Sequence, residues 1–123
     1  MIRLLLVDDQ PTVLRGLGMR LRLEPDIQIV GEASTGREAL TLAQTLSPDV
    51  VLMDVEMPDM DGIETTTVLR ATVSGSTVVI LSIHGDQPTR ARARAAGAVA
   101  FVEKRGRTDD LLAAIRRAAE PVG

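Results

Sequence analysis

The sequence has 123 residues, of which 45% are hydrophobic and 25% charged, and its formal net charge is -3. This length and composition predict one globular domain with a substantial core. The chain has no cysteine and only one histidine, His84, which excludes disulfides, thiol catalysis and multi-histidine metal sites. The acidic balance argues against nucleic-acid binding by this segment alone, because phosphate binding requires a basic surface.

The N-terminal apolar run is short, is interrupted by Arg3 and is followed at once by two aspartates. It does not resemble a secretory signal peptide, and no apolar segment is long enough to span a bilayer. We therefore expect a cytoplasmic protein without membrane contacts.

Five short apolar segments predict β-strands. Four of them are continuous apolar runs, which are typical of strands buried on both faces of a parallel sheet. The remaining segment, 27–30, alternates partly between apolar and polar residues, as an edge strand does. The predicted strands are residues 3–7, 27–30, 50–53, 77–81 and 98–102.

The segments between these strands carry helix start and stop signals. They include a capping box, a proline in a first turn and a terminal glycine. The predicted helix starts are Pro11 (with Asp9 or Gln10 as cap), Thr35 (in a capping box with Glu38), Pro88, and Thr108 (as a cap). The predicted ends of these four helices are Pro25, Ser47, Gly97 and Ala119.

Segment 63–71 is ambiguous by itself, because it is rich in β-branched residues that favour strands. We predict a helix here, since consecutive parallel strands need a crossover connection. Five strands then alternate with five helices in one doubly wound α/β domain with strand order 2-1-3-4-5, a flavodoxin-like fold. Residues 1–119 are expected to form this domain, and residues 120–123 to begin a linker.

Polar residues stand at the carboxyl ends of the predicted strands, where open α/β sheets bind their ligands. The first strand ends in Asp8 and Asp9, and the third ends in Asp54. The fourth ends in Ser82, and Lys104 follows the fifth. Since parallel strands end at one edge of the sheet, these groups should converge there.

Three carboxylates in one crevice repel one another, and a divalent cation relieves that repulsion. Oxygen ligands of this kind suit Mg²⁺ (or Mn²⁺) completed by water and a substrate phosphate. A carboxylate beside such an ion can accept a phosphoryl group, whose oxygens Lys104 and Ser82 would stabilise. The residue types therefore predict a phosphoryl-acceptor site.

Each residue also has a structural interpretation when it is taken alone. Taken alone, Asp8 is typical of a turn and Asp9 of a helix cap. Ser82 alone is typical of a cap, and Lys104 alone is typical of a surface charge. Asp54 is evenly balanced between turn former and site residue. Structural roles are expected for Asp59, Asp61 and His84. The functional interpretation rests on four strand ends that each deliver a compatible group to one place.

Four motifs resemble the receiver domain of two-component response regulators, and the resemblance covers essentially the whole chain. They are LLVDD at 5–9, LMDVEMPDMDG at 52–62, ILS at 80–82 and VEK at 102–104. The glycines at 31, 36 and 97, with the residues around them, resemble receivers that precede LuxR-type helix-turn-helix domains (the NarL/FixJ-like group).

The resemblance implies that a sensor histidine kinase phosphorylates this chain. The implied roles are phosphoacceptor for Asp54, Mg²⁺ ligands for Asp8, Asp9, Asp54 and the backbone carbonyl of Glu56, switch hydroxyl for Ser82, phosphoryl partner for Lys104 and aromatic switch for Phe101. Core filling is the alternative for Phe101. We expect a non-enzymatic switch that dimerises on phosphorylation and meets DNA only through an output domain absent from this sequence.

Two other functions stay open. One is a stand-alone receiver that acts by protein contact. The other is an aspartyl-phosphate phosphatase, which the Asp54 and Glu56 pair faintly resembles. Two departures from the receiver pattern also matter. Ile83 stands where a small residue is common and Arg105 where proline is common, so we expect altered phosphorylation or hydrolysis rates.

Overall fold

A computed structural model of the chain describes residues 1–83 and 85–120. Over these residues, five strands form one parallel sheet in the order β2-β1-β3-β4-β5. The strands are β1 (Ile2–Val7), β2 (Ile27–Ala33), β3 (Val50–Asp54), β4 (Thr77–Ser82) and β5 (Ala100–Glu103). The helices are α1 (Pro11–Leu21), α2 (Gly36–Leu46), α3 (Gly62–Thr72), α4 (Gln87–Ala96) and α5 (Thr108–Ala118). The predicted flavodoxin-like fold and strand order are confirmed.

Two apolar layers cover the two faces of the sheet. Along β1, Leu4 and Leu6 pack in one layer, whereas Leu5 and Val7 pack in the other. Helices α1 and α5 contribute to the first layer, and α2, α3 and α4 to the second. Every residue of β3 is buried. Burial on both faces explains why the central strands appear as continuous apolar runs in the sequence.

The ambiguous segment after β3 is the helix α3, as predicted. Asp61 caps it, because its Oδ1 atom accepts a hydrogen bond from Glu64 N–H at 2.8 Å. The hydroxyls of Thr65 and Thr66 donate to carbonyls four residues earlier, at 2.9 and 2.7 Å. These bonds satisfy polar groups that are fully buried. Tertiary packing therefore overrides the β propensity of the segment.

The edges of the sheet differ from the sequence prediction. Strand β2 continues to Ala33, past the predicted end at Val30, because its pairing with β1 resumes at Gly31 after a shift in register. Strand β5 begins at Ala100 rather than at residue 98. Apolarity alone did not set these limits, since both depend on the pairing register with the neighbouring strand.

One predicted helix cap is wrong. Arg107 occupies the cap position of α5, and Thr108 is its first helical residue and makes no side-chain cap bond. Gln10, one of the two residues predicted to cap α1, occupies the cap position, although its side chain makes no cap bond. The Thr35 cap of α2 is confirmed, because its hydroxyl accepts from Glu38 N–H.

The C-terminal end of α5 lies at Ala118, close to the predicted domain boundary. Most of the predicted linker, residues 121–123, lies outside the described residues, as does His84. No helix in the described part of the chain combines the length and the apolarity needed to cross a bilayer.

Candidate functional site

The register of the sheet brings the candidate residues to one edge. Val7 at the end of β1 pairs with Met53, the residue before Asp54. Asp54 pairs with Leu81, the residue before Ser82. Ser82 in turn pairs with Glu103, the residue before Lys104. Each candidate side chain therefore lies at or just beyond the end of its strand, at the same level across the sheet.

Three carboxylates meet at this edge. One oxygen from each of Asp8, Asp9 and Asp54 lies within 4.8 Å of the others. Asp8 and Asp54 are 1% and 3% exposed, whereas Asp9 is exposed. Asp8 is held in place because its Oδ1 atom accepts a hydrogen bond from Gln10 N–H at 2.9 Å. The arrangement agrees with the convergence expected from the strand order.

Lys104 supplies a positive charge to two of these carboxylates. Its Nζ atom lies 2.8 Å from Asp8 Oδ2 and 3.1 Å from Asp54 Oδ1. Its backbone N–H donates to Ser82 O at 2.8 Å, which ties the end of β5 to the end of β4. A single ammonium therefore faces two buried acids, and a net negative charge remains in the crevice.

The remaining negative charge shifts the pKa values of the groups in the site. Burial and the neighbouring charge of Asp8 raise the pKa of Asp54 to about 6, although Lys104 opposes the shift. Burial alone would lower the pKa of Lys104, but its contacts with Asp8 and Asp54 raise the pKa above its usual value. Both shifts indicate that the crevice favours additional positive charge.

The three carboxylates fit an oxygen-liganded divalent cation. Among the described residues, Asp8 Oδ2 is a buried oxygen whose counter-charge is Lys104, and Lys104 is shared with Asp54. An oxygen-only set of this kind suits Mg²⁺ or Mn²⁺ with water completing the coordination. The observation supports the cation predicted from the sequence.

The site opens into a cavity of about 210 Å³. Its lining residues are Asp9, Gln10, Asp54, Glu56, Ser82, Ile83, Lys104 and Arg105. Ser82 and Glu56, which were predicted from the sequence, thus lie at the same cavity as Asp54. Ile83 and Arg105, the two departures from the receiver pattern, line it as well. Their effects on reaction rates stay predictions.

The β3–α3 loop, residues 55–61, closes on itself beside Asp54. Val55 N–H donates to Leu81 O at 3.3 Å, and Gly62 N–H donates to Val55 O at 2.7 Å. A Cβ atom at Gly62 would collide with the backbone carbonyl of Asp54. The closed loop therefore requires glycine at position 62.

Asp59 makes a contact that the sequence did not reveal. Its carboxylate accepts hydrogen bonds from Gly36 N–H at 3.0 Å and from Arg37 N–H at 3.1 Å. The hydrogen bond from Gly36 is the main cause that lowers the pKa of Asp59. The residue was expected only to shape its own loop, and it also joins that loop to α2.

Phe101 is half-buried on β5 and lines a different cleft from the one that contains Asp54. The Arg90 guanidinium lies 4.6 Å from the centre of its ring. Arg90 also donates from Nε to Gly85 O at 3.0 Å and lies 3.8 Å from Glu103 Oε1. The sequence did not indicate this role of Arg90, which joins α4 to β5. The switch role of Phe101 stays a prediction.

Comparison with known proteins agrees with this fold. Residues 4–116 match the family model of the response regulator receiver domain. The chain belongs to the receiver domain family of response regulators.

Its relatives include regulators of the expected group. The chain is 40% identical over 120 residues to the transcriptional regulatory protein LiaR of Bacillus subtilis, across 98% of this chain and 57% of LiaR. A two-component response regulator of the LuxR family from Aurantimonas superimposes with a TM-score of 0.92 at 31% identity, across 97% of this chain and 85% of that chain. The predicted resemblance to LuxR-type receivers is confirmed.

One relative is named for an enzymatic activity. The chain is 42% identical over 106 residues to a protein-glutamate methylesterase/protein-glutamine glutaminase of Methanospirillum hungatei. The match covers 85% of this chain but 30% of that protein. This chain thus spans only part of the curated relatives it matches.

Proposed function

We propose that this chain is a phosphorylation switch, in which Asp54 accepts a phosphoryl group from the phosphohistidine of a sensor histidine kinase. The observation that carries the proposal is the grouping of Asp8, Asp9 and Asp54, whose oxygens lie within 4.8 Å, around the ammonium of Lys104. A buried nucleophile, a cation site and a basic partner are together what phosphoryl transfer to a carboxylate needs.

Transfer begins when an ionised oxygen of Asp54 attacks phosphorus. The new P–O bond forms as the P–N bond to the kinase histidine breaks, and the electron pair leaves with the imidazole. Lys104 favours the ionised form of Asp54, which burial disfavours. Asp8, Asp9, Asp54 and the backbone carbonyl of Glu56 would hold Mg²⁺, which would supply charge neutralisation at the phosphoryl oxygens.

The acyl phosphate changes what the neighbouring side chains bind. Lys104 moves its ion pair from the Asp54 carboxylate to a phosphoryl oxygen, and the Ser82 hydroxyl donates a hydrogen bond to another. Ser82 ends β4, and the segment after it leads to α4. Lys104 follows β5, which carries Phe101. The change therefore shifts an equilibrium between two arrangements of the α4–β5–α5 face.

We infer the kind of output domain that this receiver controls from the relatives of the chain. LiaR is named a transcriptional regulatory protein, so we propose that residues 1–119 form the receiver of a cytoplasmic transcription regulator. Its linker begins at 120–123 and leads to a helix-turn-helix domain, and phosphorylation promotes a homodimer. The methylesterase relative makes a catalytic output domain the second candidate. The receiver itself acts as a phosphoacceptor that dephosphorylates slowly, and not as an enzyme on a separate substrate.

Intact mass spectrometry after incubation with Mg²⁺ and acetyl phosphate tests the site. We expect one labile phosphate on the protein and none on Asp54→Asn, while Asp109→Asn, which removes an exposed acid, behaves as the parent. Phosphate that persists on Asp54→Asn would refute the assignment. Repeated turnover of phosphoesters would instead favour a phosphatase. Identification of the domain that follows the receiver in the full-length gene product distinguishes a DNA-binding output from a catalytic one.

A further inference from the structure

The β3–α3 loop carries Glu56, whose backbone carbonyl belongs to the proposed cation site. The base of the loop is fixed by the two backbone hydrogen bonds that join Val55 to Leu81 and Gly62 to Val55. Val55 and Met57 also pack partly on the core. Glu56 and Asp59 are exposed. Apolar packing therefore holds only part of the loop, and polar contacts hold the rest.

Asp59 fastens this loop to the first turn of α2. Both of its carboxylate oxygens are used, one for Gly36 N–H at 3.0 Å and one for Arg37 N–H at 3.1 Å. The first N–H groups of a helix have no partner within the helix, and its N-terminus favours negative charge. Two charge-assisted bonds in one fixed orientation make this a directional contact rather than a general attraction.

The helix that receives Asp59 is itself well anchored. Thr35 caps it through Glu38 N–H at 3.1 Å, and Ala39 and Ala43 are fully buried. Gly36 is buried against the loop, since a Cβ atom there would lie 3.0 Å from Met60 Cβ and 3.2 Å from Met60 O. The same Cβ atom would lie 2.5 Å from Thr65 Oγ1, so the close approach of α2 to the loop and to α3 favours glycine at this position.

We propose that Asp59 is a positioning residue for the cation site, because it holds the β3–α3 loop on α2 and thereby sets the direction of the Glu56 carbonyl. The inference rests on the proposed function, since it assumes that Glu56 contributes a cation ligand. Asp59 itself does not touch the ion. Its carboxylate is committed to α2, so its influence passes through the backbone of the loop.

The two hydrogen bonds that join Asp59 to α2 form a clamp on the loop. Loss of this clamp should weaken cation binding without removing the site. Groups that orient metal ligands typically change affinity by about 10–100-fold when they are removed. We expect Asp59→Ala, which loses both hydrogen bonds, to weaken Mn²⁺ binding by about 10-fold, at the low end of that range. Asp59→Asn keeps one acceptor and presents an amide to the second N–H group, so its loss should be smaller.

Removal of a negative charge near the site could by itself lower cation affinity, so a matched control is needed. Asp109 lies in the first turn of α5 at the same edge of the sheet, and its side chain is 83% exposed. Asp109→Asn removes the same charge without a clamp. Its change in Mn²⁺ affinity gives the effect of removing one exposed acid at this edge of the sheet, against which the Asp59 variants are compared.

Electron paramagnetic resonance of free Mn²⁺ gives the dissociation constant of each variant without any phosphodonor. Amide hydrogen exchange at Gly36 and Arg37 reports whether the clamp has opened. The expected result is weaker Mn²⁺ binding in the order Asp109→Asn, Asp59→Asn, Asp59→Ala, with faster exchange only in the Asp59 variants. If Asp59→Ala does not fold, the isosteric Asp59→Asn carries the comparison.

Two negative results have different meanings. Equal Mn²⁺ affinity in Asp59→Asn and Asp109→Asn, with faster exchange at Gly36 and Arg37, overturns the positioning role and leaves the cation site intact. Failure of the parent protein to bind Mn²⁺ overturns the cation part of the proposed function and this inference with it. Phosphate on Asp54, measured separately by mass, tests the phosphoacceptor assignment independently of both.

Discussion

Lys104 Nζ lies 3.1 Å from Asp54 Oδ1, so the buried carboxylate already faces a cation before any phosphoryl group is present. The same ammonium lies 2.8 Å from Asp8 Oδ2. One positive charge thus serves two buried acids, and the exposed acid Asp9 stands close to both. The carboxylates of the site therefore repel one another, and a divalent ion, a proton or the substitution of one acid would reduce this repulsion.

We expect Asp54→Asn to stabilise the cation-free protein, and more strongly at pH 8 than at pH 5. The pKa of Asp54 is raised from its usual value of 3.8 to about 6 in the folded state. A raised carboxyl pKa means that ionisation destabilises the fold progressively as pH rises from about 4 to about 6. Above that window the substitution removes a penalty of ~1–3 kcal/mol, in which the opposing effect of Lys104 is already included.

Urea unfolding without divalent ions at the two pH values measures this effect. Asp109→Asn is the control, because its acid is exposed and lies outside the crevice. A destabilised Asp54→Asn at pH 8, or a gain that is equal at both pH values, would contradict the electrostatic account of the site.

We expect Lys104→Met to destabilise the cation-free protein at neutral pH by about 2–4 kcal/mol, since it leaves two buried acids without their counter-charge. Mg²⁺ should restore part of the loss, because it supplies positive charge to the same carboxylates. The measurement is urea unfolding with and without Mg²⁺. Arg107→Met, which removes an 81% exposed cation, should change stability little. A Lys104→Met protein as stable as the parent would mean that the ion pairs do not hold the crevice together.

We expect Ile83→Ala to increase the rate of phosphorylation or of acyl-phosphate hydrolysis. Ile83 is 50% exposed and lines the cavity that contains Asp54, so its branched side chain restricts the approach of a phosphodonor or of water. Rates of phosphate gain and loss by mass spectrometry check this. Val99→Ala serves as control, since Val99 is 53% exposed but lines a different cleft. Unchanged rates in Ile83→Ala would show that this residue does not limit access.

The sequence was sufficient for the main features of the fold and for the composition of the site. The central strands could be predicted because burial on both faces demands continuous apolar runs, as in β3. The convergence of Asp8, Asp9 and Asp54 followed from strand order, because all parallel strands end at one edge. Even α3, with its unfavourable threonines, followed from the need for a crossover.

Helix caps and strand limits were less predictable. Thr108 was expected to cap α5, but the chain enters that helix one residue earlier, with Arg107 at the cap position. The end of β2 at Ala33 depends on its pairing with β1. Local residue preferences cannot predict the pairing register with a neighbouring strand or the direction in which a loop enters a helix.

The amino-acid sequence by itself thus determined which chemical groups this protein brings to one edge of its sheet, because strand periodicity and strand order are local and topological properties. Only the tertiary structure decided how those groups are held. The bonds from Gly36 and Arg37 to Asp59 and the stacking of Arg90 on Phe101 join segments that are far apart in the chain. Such contacts depend on side-chain directions after packing, which no local pattern of residues records.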